Sequence, residues 1–292
     1  MRFGLFTLLF IAMLNTACET HYIGGDYRIF NGSPIEKLAK AVKRQDTARI
    51  SYLVKIKGLP IDYIDPEYGN TLLIVAIYNN WELSVEKLLE LGANPNHITS
   101  YHGEVKGLGF TPVTMAAWYS WVSPKILKLL LEYGGNPNST MHGFDYNGPY
   151  RYPKRNTALY NASIYSLEKV KILLEHGADI NMKDPIDGFT AISAAVTSPS
   201  SMHILYYLLS HGASPEGRVY DLYNDSADII YALRKNVIPL SDVQYKYKLK
   251  VIKLLEKKGY DYWNSPIPDY TRKKIRKQYP DSKDFDYYIN RY

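Results

Sequence analysis

Three histidines near two long segments are the residues best suited to chemistry. His97 and His102 lie in residues 97–109, and His142 lies in residues 139–156. Imidazoles that come together can bind a metal ion or transfer protons. No H-x-x-x-H pair or cysteine partner accompanies them, and no G-x-S-x-G elbow or phosphate loop occurs elsewhere. The sequence therefore predicts no catalytic residue, no metal and no cofactor, and an enzyme using these histidines is the third hypothesis.

The single cysteine, Cys18, follows an apolar N-terminal run. Arg2 precedes the stretch 3–14, which is apolar apart from Gly4 and Thr7. A transmembrane helix needs roughly 20 apolar residues, so this run is too short to span a bilayer and instead has the length of a secretory signal. Because no second cysteine is present, the exported chain must be held by packing and not by disulfides.

An apolar run followed by small residues and a cysteine resembles the signal of bacterial lipoproteins. The resemblance implies a signal peptide at 1–17 and a lipidated tether at 18–32, with the thiol and amine of Cys18 acylated. Asn15 departs from that signal, which prefers an aliphatic or small residue there. The alternative is an ordinary cleaved signal that leaves Cys18 as a free thiol. The expected location is the cell envelope, lipid-anchored and facing the periplasm, and Glu19 favours the outer over the inner membrane.

Four segments of the chain repeat one pattern. Each has a threonine, an apolar helix with alanine, a second helix with paired aliphatic residues, and a glycine. The threonine side chain is suited to capping the first helix, and the glycine to ending the second in a left-handed conformation. One such unit cannot bury its own apolar face, so the units must stack. The segments are 68–96, 109–138, 155–181 and 187–215, with threonines Thr71, Thr111, Thr157 and Thr190 and glycines Gly92, Gly134, Gly177 and Gly212.

The repeated pattern resembles the ankyrin repeat. The resemblance implies an all-α ankyrin-repeat solenoid, built of helix-turn-helix repeats with β-hairpin fingers, over residues 33–262. Residues 34–58 and 229–259 read as degenerate helix pairs that cap its two ends. The sequence departs from the family at the histidine three places after each threonine, where it has Ile74, Thr114, Tyr160 and Ser193.

Two fingers are enlarged. Thr71 and Thr111 lie 40 residues apart and Thr111 and Thr157 lie 46 apart, whereas Thr157 and Thr190 lie 33 apart. The family repeat is about 33 residues long. The extra residues therefore fall at 97–109 and 139–156.

Tyrosine is unusually abundant, at 28 of 292 residues. In ankyrin proteins the fingers and first helices line the concave binding surface, and tyrosine and tryptophan are favoured at protein interfaces. The alternative is that tyrosines fill gaps between diverged helices, as expected for Tyr206 and Tyr207. The predicted partner-binding residues are Tyr101, His102, His142, Phe144, Tyr146, Tyr150 and Tyr152 in the fingers, and Tyr78, Trp81, Trp118, Tyr119 and Trp121 near the ends of first helices.

Residues 263–292 form a basic aromatic C-terminal tail with seven Lys or Arg and four Asp. One short helix is expected near residues 268–280. The dense run 272–277 is typical of a solvated helix, with contact to anionic phospholipid as the alternative. The net charge of +6 is mild, and an exported chain rarely meets nucleic acid, so no nucleic-acid partner is predicted.

An ankyrin lipoprotein held in a bacterial envelope resembles the immunity proteins that protect against type VI secretion effectors. Phospholipases are notable among those effectors. The resemblance implies a chain that binds and inhibits a delivered toxin, with a protein partner and a membrane contact through the lipid anchor. The alternative is a periplasmic ankyrin scaffold that supports an endogenous envelope or stress-defence enzyme.

Overall fold

The computed structural model describes residues 24–99, 109–141, 143–145, 152–154, 156–219 and 227–292. This part of the chain contains six helix pairs followed by two further helices, α13 (Asp269–Gln278) and α14 (Ser282–Ile289). The pairs are α1 (Glu36–Lys43) with α2 (Thr47–Lys55), α3 (Leu72–Tyr78) with α4 (Glu82–Glu90), α5 (Pro112–Trp118) with α6 (Pro124–Glu132), α7 (Ala158–Ser163) with α8 (Leu167–Glu175), α9 (Ala191–Thr197) with α10 (Met202–Ser210), and α11 (Ile229–Lys235) with α12 (Val243–Glu256).

The helices form two layers. First helices pack on the first helices of neighbouring pairs, and second helices pack on second helices. The first helices of the central repeats are short and largely apolar, and six of the seven residues of α3 are buried. Because each pair buries its apolar face against its neighbours, the structure is the all-α solenoid that the sequence predicts, and the helix pairs expected at both ends are confirmed.

Threonine caps begin the four central first helices, as predicted. The hydroxyl of Thr157 accepts the N–H of Tyr160 at 3.0 Å, and Thr71 caps α3 in the same way. At two positions where the family has histidine, a hydroxyl completes the cap instead. The Thr114 hydroxyl accepts the N–H of Thr111 at 2.8 Å, and the Ser193 hydroxyl accepts the N–H of Thr190 at 3.1 Å. These reciprocal capping boxes satisfy donors that would otherwise be unpaired.

An asparagine ladder joins successive repeats where each second helix ends. The Asn96 side chain accepts the N–H of Asn136 at 2.8 Å and donates to the carbonyl of Gly134 at 2.9 Å. Asn138 repeats this arrangement one unit further on, accepting the N–H of Asp179 at 2.8 Å. The glycines before these turns have the predicted positive φ, 87° at Gly134. The G-x-N-P-N sequence therefore specifies a bond between units as well as a turn.

The second enlarged finger contains the expected β-hairpin. Strands β1 (Gly143–Asp145) and β2 (Tyr152–Lys154) pair antiparallel, with Phe144 opposite Pro153. Backbone bonds close the base of this finger, because the N–H of Met141 donates to the carbonyl of Asn156 at 3.0 Å. The first enlarged finger is closed similarly by the N–H of Thr99, which donates to Phe110 at 3.0 Å.

Both ends of the described chain pack on the solenoid. Residues 24–32, within the predicted tether, include a 3-10 turn at Tyr27–Phe30, and Phe30 is completely buried. The predicted tail contains two helices instead of the single helix expected, and Ile275 and Tyr292 are buried in it. None of the helices in the described ranges has both the length and the apolar character needed to cross a bilayer.

Gly135 illustrates how tightly the two layers meet. A Cβ at this position would lie 2.7 Å from the carbonyl oxygen of Leu130 and 2.8 Å from Cγ2 of Val113. We expect Gly135→Ala to lower the free energy of unfolding by about 1–3 kcal/mol through overpacking, measured by urea denaturation. A neutral result would show that Val113 moves aside. Other repeats have alanine at the position after the glycine, at Ala93, Ala178 and Ala213. The loss is still expected at Gly135, because the close contacts with Leu130 and Val113 are measured at this position.

Candidate functional site

Three of the predicted binding residues form one aromatic cluster, made of Tyr78, Tyr119 and Trp121. The rings of Tyr119 and Trp121 have centroids 4.3 Å apart, and Tyr78 packs edge-on against both, at 5.4 Å and 5.8 Å. Phe110 extends the contact, 5.7 Å from Tyr119. Edge-to-face and offset pairs of this kind stabilise beyond simple burial, so the cluster is a fixed surface feature.

The repeat geometry places these rings together. Tyr78 is the last residue of α3, and Tyr119 and Trp121 lie in the turn after α5, the matching place in the next repeat. The indole Nε1–H of Trp121 donates to the backbone carbonyl of Tyr78 at 3.0 Å. Asn80 strengthens the junction by accepting the N–H of Ser123 at 2.8 Å. The cluster therefore bridges two repeats and is positioned by both.

The cluster combines a buried base with an exposed face. Burial, with a smaller effect of the neighbouring Tyr78, raises the pKa of Tyr119 to about 12. Trp121 is 53% exposed, and its indole N–H is already hydrogen-bonded to Tyr78. An exposed tryptophan held in one orientation offers contact area with little further loss of entropy, which is the property of an interface anchor.

A cleft of about 390 Å³ lies beside the cluster, between α3 and the N-terminal segment. The segment approaches closely, since a Cβ on Gly25 would lie 2.3 Å from the Tyr78 ring. The Asn79 side chain donates to the carbonyl of Gly25 at 2.6 Å and holds it there. The cleft is lined by Gly25, Asp26, Tyr27, Arg28, Lys43, Tyr78, Asn79 and Trp81.

Charged groups surround the mouth of the cleft. Asp26 pairs with Arg28 at 2.6 Å, and hydrogen bonding to Arg28 holds the pKa of Asp26 below its usual value. The ammonium of Lys43 lies 4.6 Å from the centroid of the Tyr27 ring. The cleft thus offers aromatic surface with a lysine at its rim, a combination suited to the side chains of a protein partner.

Lys169 supports the cluster from the next repeat, and sequence reasoning missed it. Its ammonium donates to the carbonyls of Ala116 at 2.8 Å and Tyr119 at 2.7 Å, at the C-terminal end of α5. The side chain is buried, and burial lowers its pKa to about 8 against a smaller opposing effect of Glu168. A lysine on an amphipathic helix is usually solvated, so only the bonds from Lys169 to the end of α5 reveal this role.

The other predicted binding residues divide into three groups. Trp81 and Trp118 are partly buried and pack against the core, and Trp81 also lines the cleft. Phe144 and Tyr152 lie on β1 and β2, where the structure describes only the backbone. Tyr101, His102, His142, Tyr146, Tyr150 and the predicted lipidation site Cys18 lie outside the described residues.

Of the three histidines in the finger regions, His97 lies among the described residues, and it makes a structural contact. The Nε2 atom of His97 lies 2.8 Å from the carbonyl oxygen of Gly69, in the preceding finger. Within the ranges that the structure describes, no three His, Cys, Asp or Glu side chains come together as metal ligands. Residues 184–188 form a turn, in which Asp184 accepts the N–H groups of Ile186 and Asp187 at 2.7 and 2.9 Å.

Comparison with known proteins identifies the architecture. The family model of the ankyrin repeat matches residues 68–100 and 154–185. The ankyrin repeat protein EF0377 superposes with a TM-score of 0.55 at 23% identity, covering 76% of this chain and 98% of its own. The ankyrin repeat domain of Bcl-3, a unique member of the IkappaB protein family, gives 0.55 at 24% identity, covering 77% and 86%. No curated protein sequence matches the chain.

The fold is therefore an ankyrin-repeat solenoid. The matched segments contain the second and fourth helix pairs, which flank the repeat that carries Tyr119 and Trp121. At the identities of the two solved structures, the likeness concerns the fold alone.

Proposed function

We propose that this chain is a protein-binding ankyrin lipoprotein of the bacterial envelope, and that it is an immunity protein that binds and inhibits a type VI secretion toxin of the phospholipase class. The observation that carries the protein-binding proposal is the aromatic cluster. Its rings are locked across two repeats, its base is buried, and Trp121 faces solvent next to a cleft. Hot spots at protein interfaces have this composition and rigidity.

The N-terminal geometry supports a partner held near a membrane. The described chain begins at Gly24, six residues after Cys18, and it enters beside Tyr78. Six residues reach at most about 20 Å when fully extended. An acylated Cys18 would therefore keep the cleft within that distance of the bilayer surface, where a phospholipase acts.

The test is capture of the partner followed by an inhibition assay. The anchored chain is purified from the envelope of its own cells, the co-purifying protein is identified by mass spectrometry, and its phospholipase activity is titrated with the chain. We expect stoichiometric inhibition. Trp121→Ala removes the exposed anchor and is expected to weaken binding by about 2 kcal/mol or more, roughly 30-fold.

Tyr133→Ala is the matched control, because Tyr133 is also exposed and belongs to the same repeat, at the end of α6. It should bind like the wild type, and thermal melts should show both variants folded at the temperature of the binding assay. Unchanged binding by Trp121→Ala would remove the cluster from the interface. Capture of a resident periplasmic enzyme, with no toxin inhibited, would replace immunity by the scaffold function.

A further inference from the structure

Helix α13 presents an arc of four cations, Arg272, Lys273, Arg276 and Lys277. Their spacing of one, four and five residues places them on one side of the helix. The opposite side carries Thr271 and Ile275, which are completely buried. All four cations are exposed. The helix is thus amphipathic, and its polar face consists largely of positive charge.

The basic arc is held outward by contacts on the buried side. The hydroxyl of Thr271 donates to the carbonyl of Arg234 at 2.9 Å, which ties α13 to α11. The guanidinium of Arg276 lies 3.5 Å from the centroid of the Phe285 ring, which packs α14 against the end of the arc. Because these contacts fix the rotation of α13, the arc cannot turn inward without breaking them.

The positive charge of α13 is not neutralised by its neighbours. Asp269 begins the helix, and Asp281, Asp284 and Asp286 lie on or before α14. None of these carboxylates comes within 4.0 Å of a cation of the arc in the described structure, where the ion pairs involve other residues. Four cations without an ion pair favour an external anionic partner.

The arc continues into a cleft with phosphate-binding chemistry. Lys235 and Lys274 line a cleft of about 270 Å³ together with Tyr231 and Tyr270. Tyr270 is more than half exposed, and the ammonium of Lys235 lies 5.6 Å from its ring centroid. Lysine with exposed tyrosine is the combination that settles at the headgroup level of a bilayer.

We propose that the basic arc of α13 docks on an anionic phospholipid surface, with a lipid phosphate entering the cleft between Lys235 and Lys274. This gives the solenoid a second membrane contact, at the end opposite its N-terminus. The inference deepens the proposed envelope location, and its test omits the lipid anchor so that the two proposals fail separately.

A lipid surface fits the arc better than nucleic acid does. Nucleic-acid binding would use aromatic faces open for base stacking along a groove. Here two of the neighbouring rings have one face against cations of the chain itself, since Arg291 lies 3.6 Å from Tyr287 and Arg276 lies 3.5 Å from Phe285. Charge density on a convex helix suits a broad anionic surface, to which each added Lys or Arg increases binding several-fold.

The experiment is vesicle sedimentation with purified Cys18→Ser chain. Vesicles contain phosphatidylcholine alone, or with about one-third phosphatidylglycerol, in roughly 0.1 M salt. We expect binding to the anionic vesicles only, falling at least about tenfold when the salt is raised to roughly 0.5 M. Vesicles of phosphatidylcholine alone carry no net charge, so binding to them measures any attachment through the apolar N-terminal run. The variant R272Q/K273Q/K277Q, which keeps the contact of Arg276 with Phe285, should lose at least about tenfold in binding.

The control variant K37Q/R44Q/K55Q removes the same charge from exposed positions in and beside α1 and α2. It should bind anionic vesicles like the wild type, and both variants should have the melting temperature of the wild type. Equal losses in the two variants would assign the attraction to net charge and overturn the proposal. Wild-type binding by the α13 variant would overturn it too, as would binding of single-stranded DNA through the arc with no vesicle binding. Competition by free inorganic phosphate without vesicle binding would reduce the cleft to a phosphate site.

Discussion

The free energy of unfolding is expected to rise as the pH increases from about 7 to about 10. Most proteins are most stable at lower pH, so this direction is unusual. The cause is Lys248, which is completely buried and whose ammonium donates to the carbonyl of Asn236 at 2.8 Å. Burial, and then the nearby Arg234, lower the pKa of Lys248 to about 7.

The direction follows from proton binding. Between pH 7 and the ordinary lysine pKa of about 10.4, Lys248 is protonated in the unfolded chain and largely neutral in the folded one. The unfolded state then binds more protons, so stability rises with pH. Lys169, with a pKa lowered to about 8, acts in the same direction. One pKa unit corresponds to about 1.4 kcal/mol, so the rise should reach a few kcal/mol.

The profile should turn downward above about pH 10. Burial raises the pKa of Tyr119, Tyr160 and Tyr262 above the ordinary phenol value. These phenols ionise first in the unfolded chain, so stability falls as the pH rises through their unfolded pKa. A maximum near pH 10 is therefore the signature of buried lysines and tyrosines together.

Lys248→Met tests the assignment by urea unfolding at several pH values. Methionine keeps the side-chain volume and removes the buried amine. We expect stability at pH 7 to be unchanged or higher, and most of the rise to disappear, with the remainder due to Lys169. Lys246→Met changes an exposed lysine of the same helix and should keep the wild-type profile. A variant at Lys248 that retains the full rise would show that its ammonium is hydrated in the folded chain.

Tyr262→Ala should lower the free energy of unfolding by about 3–5 kcal/mol, the usual loss for a large buried aromatic side chain. Tyr262 is completely buried, and the Arg234 guanidinium lies 4.3 Å from its ring centroid. Its hydroxyl donates to the carbonyl of Tyr292, and Trp263 packs edge-on at 5.0 Å. Removing the ring would leave a cavity and a buried guanidinium without its aromatic contact.

Urea denaturation with Tyr262→Phe separates the two contributions, since losing only the hydroxyl is expected to cost about 1 kcal/mol. Tyr165→Ala is the control, because Tyr165 is 66% exposed and should change stability by less than about 0.5 kcal/mol. A loss below about 1 kcal/mol for Tyr262→Ala would mean that α13 and α14 are not part of the cooperative fold.

The repeat architecture was predictable from sequence because its signals are local. A threonine, paired aliphatic residues and a glycine recur at fixed spacing, and each unit contacts mainly its neighbours. The aromatic cluster was partly predictable for the same reason, since Tyr78 and Tyr119 lie at the ends of equivalent first helices in adjacent repeats. That Trp121 bonds to the carbonyl of Tyr78 depends on side-chain geometry, which spacing does not specify.

The C-terminal unit was less predictable because its stabilising contacts are distant in sequence. The tail is strongly charged and has few aliphatic residues, which is typical of a solvated segment. Its core instead adds tyrosines to Ile275 and Phe285, and the hydroxyls of these tyrosines donate to backbone carbonyls, as Tyr245 does to Arg291 at 3.0 Å. Lys248 and Lys169 have the spacing of surface lysines, and only packing from another helix makes them buried.

The closed finger bases have a consequence for how this protein can evolve. Backbone bonds join Met141 to Asn156 and Thr99 to Phe110, so the register of the solenoid is set before either loop begins. Loop-closure entropy grows only by about 0.6 kcal/mol for each doubling of length. Loops of new length and composition can therefore be exchanged between these fixed points while the helices keep their positions. The length and sequence of the loops can thus change without altering the packing that stabilises the helices.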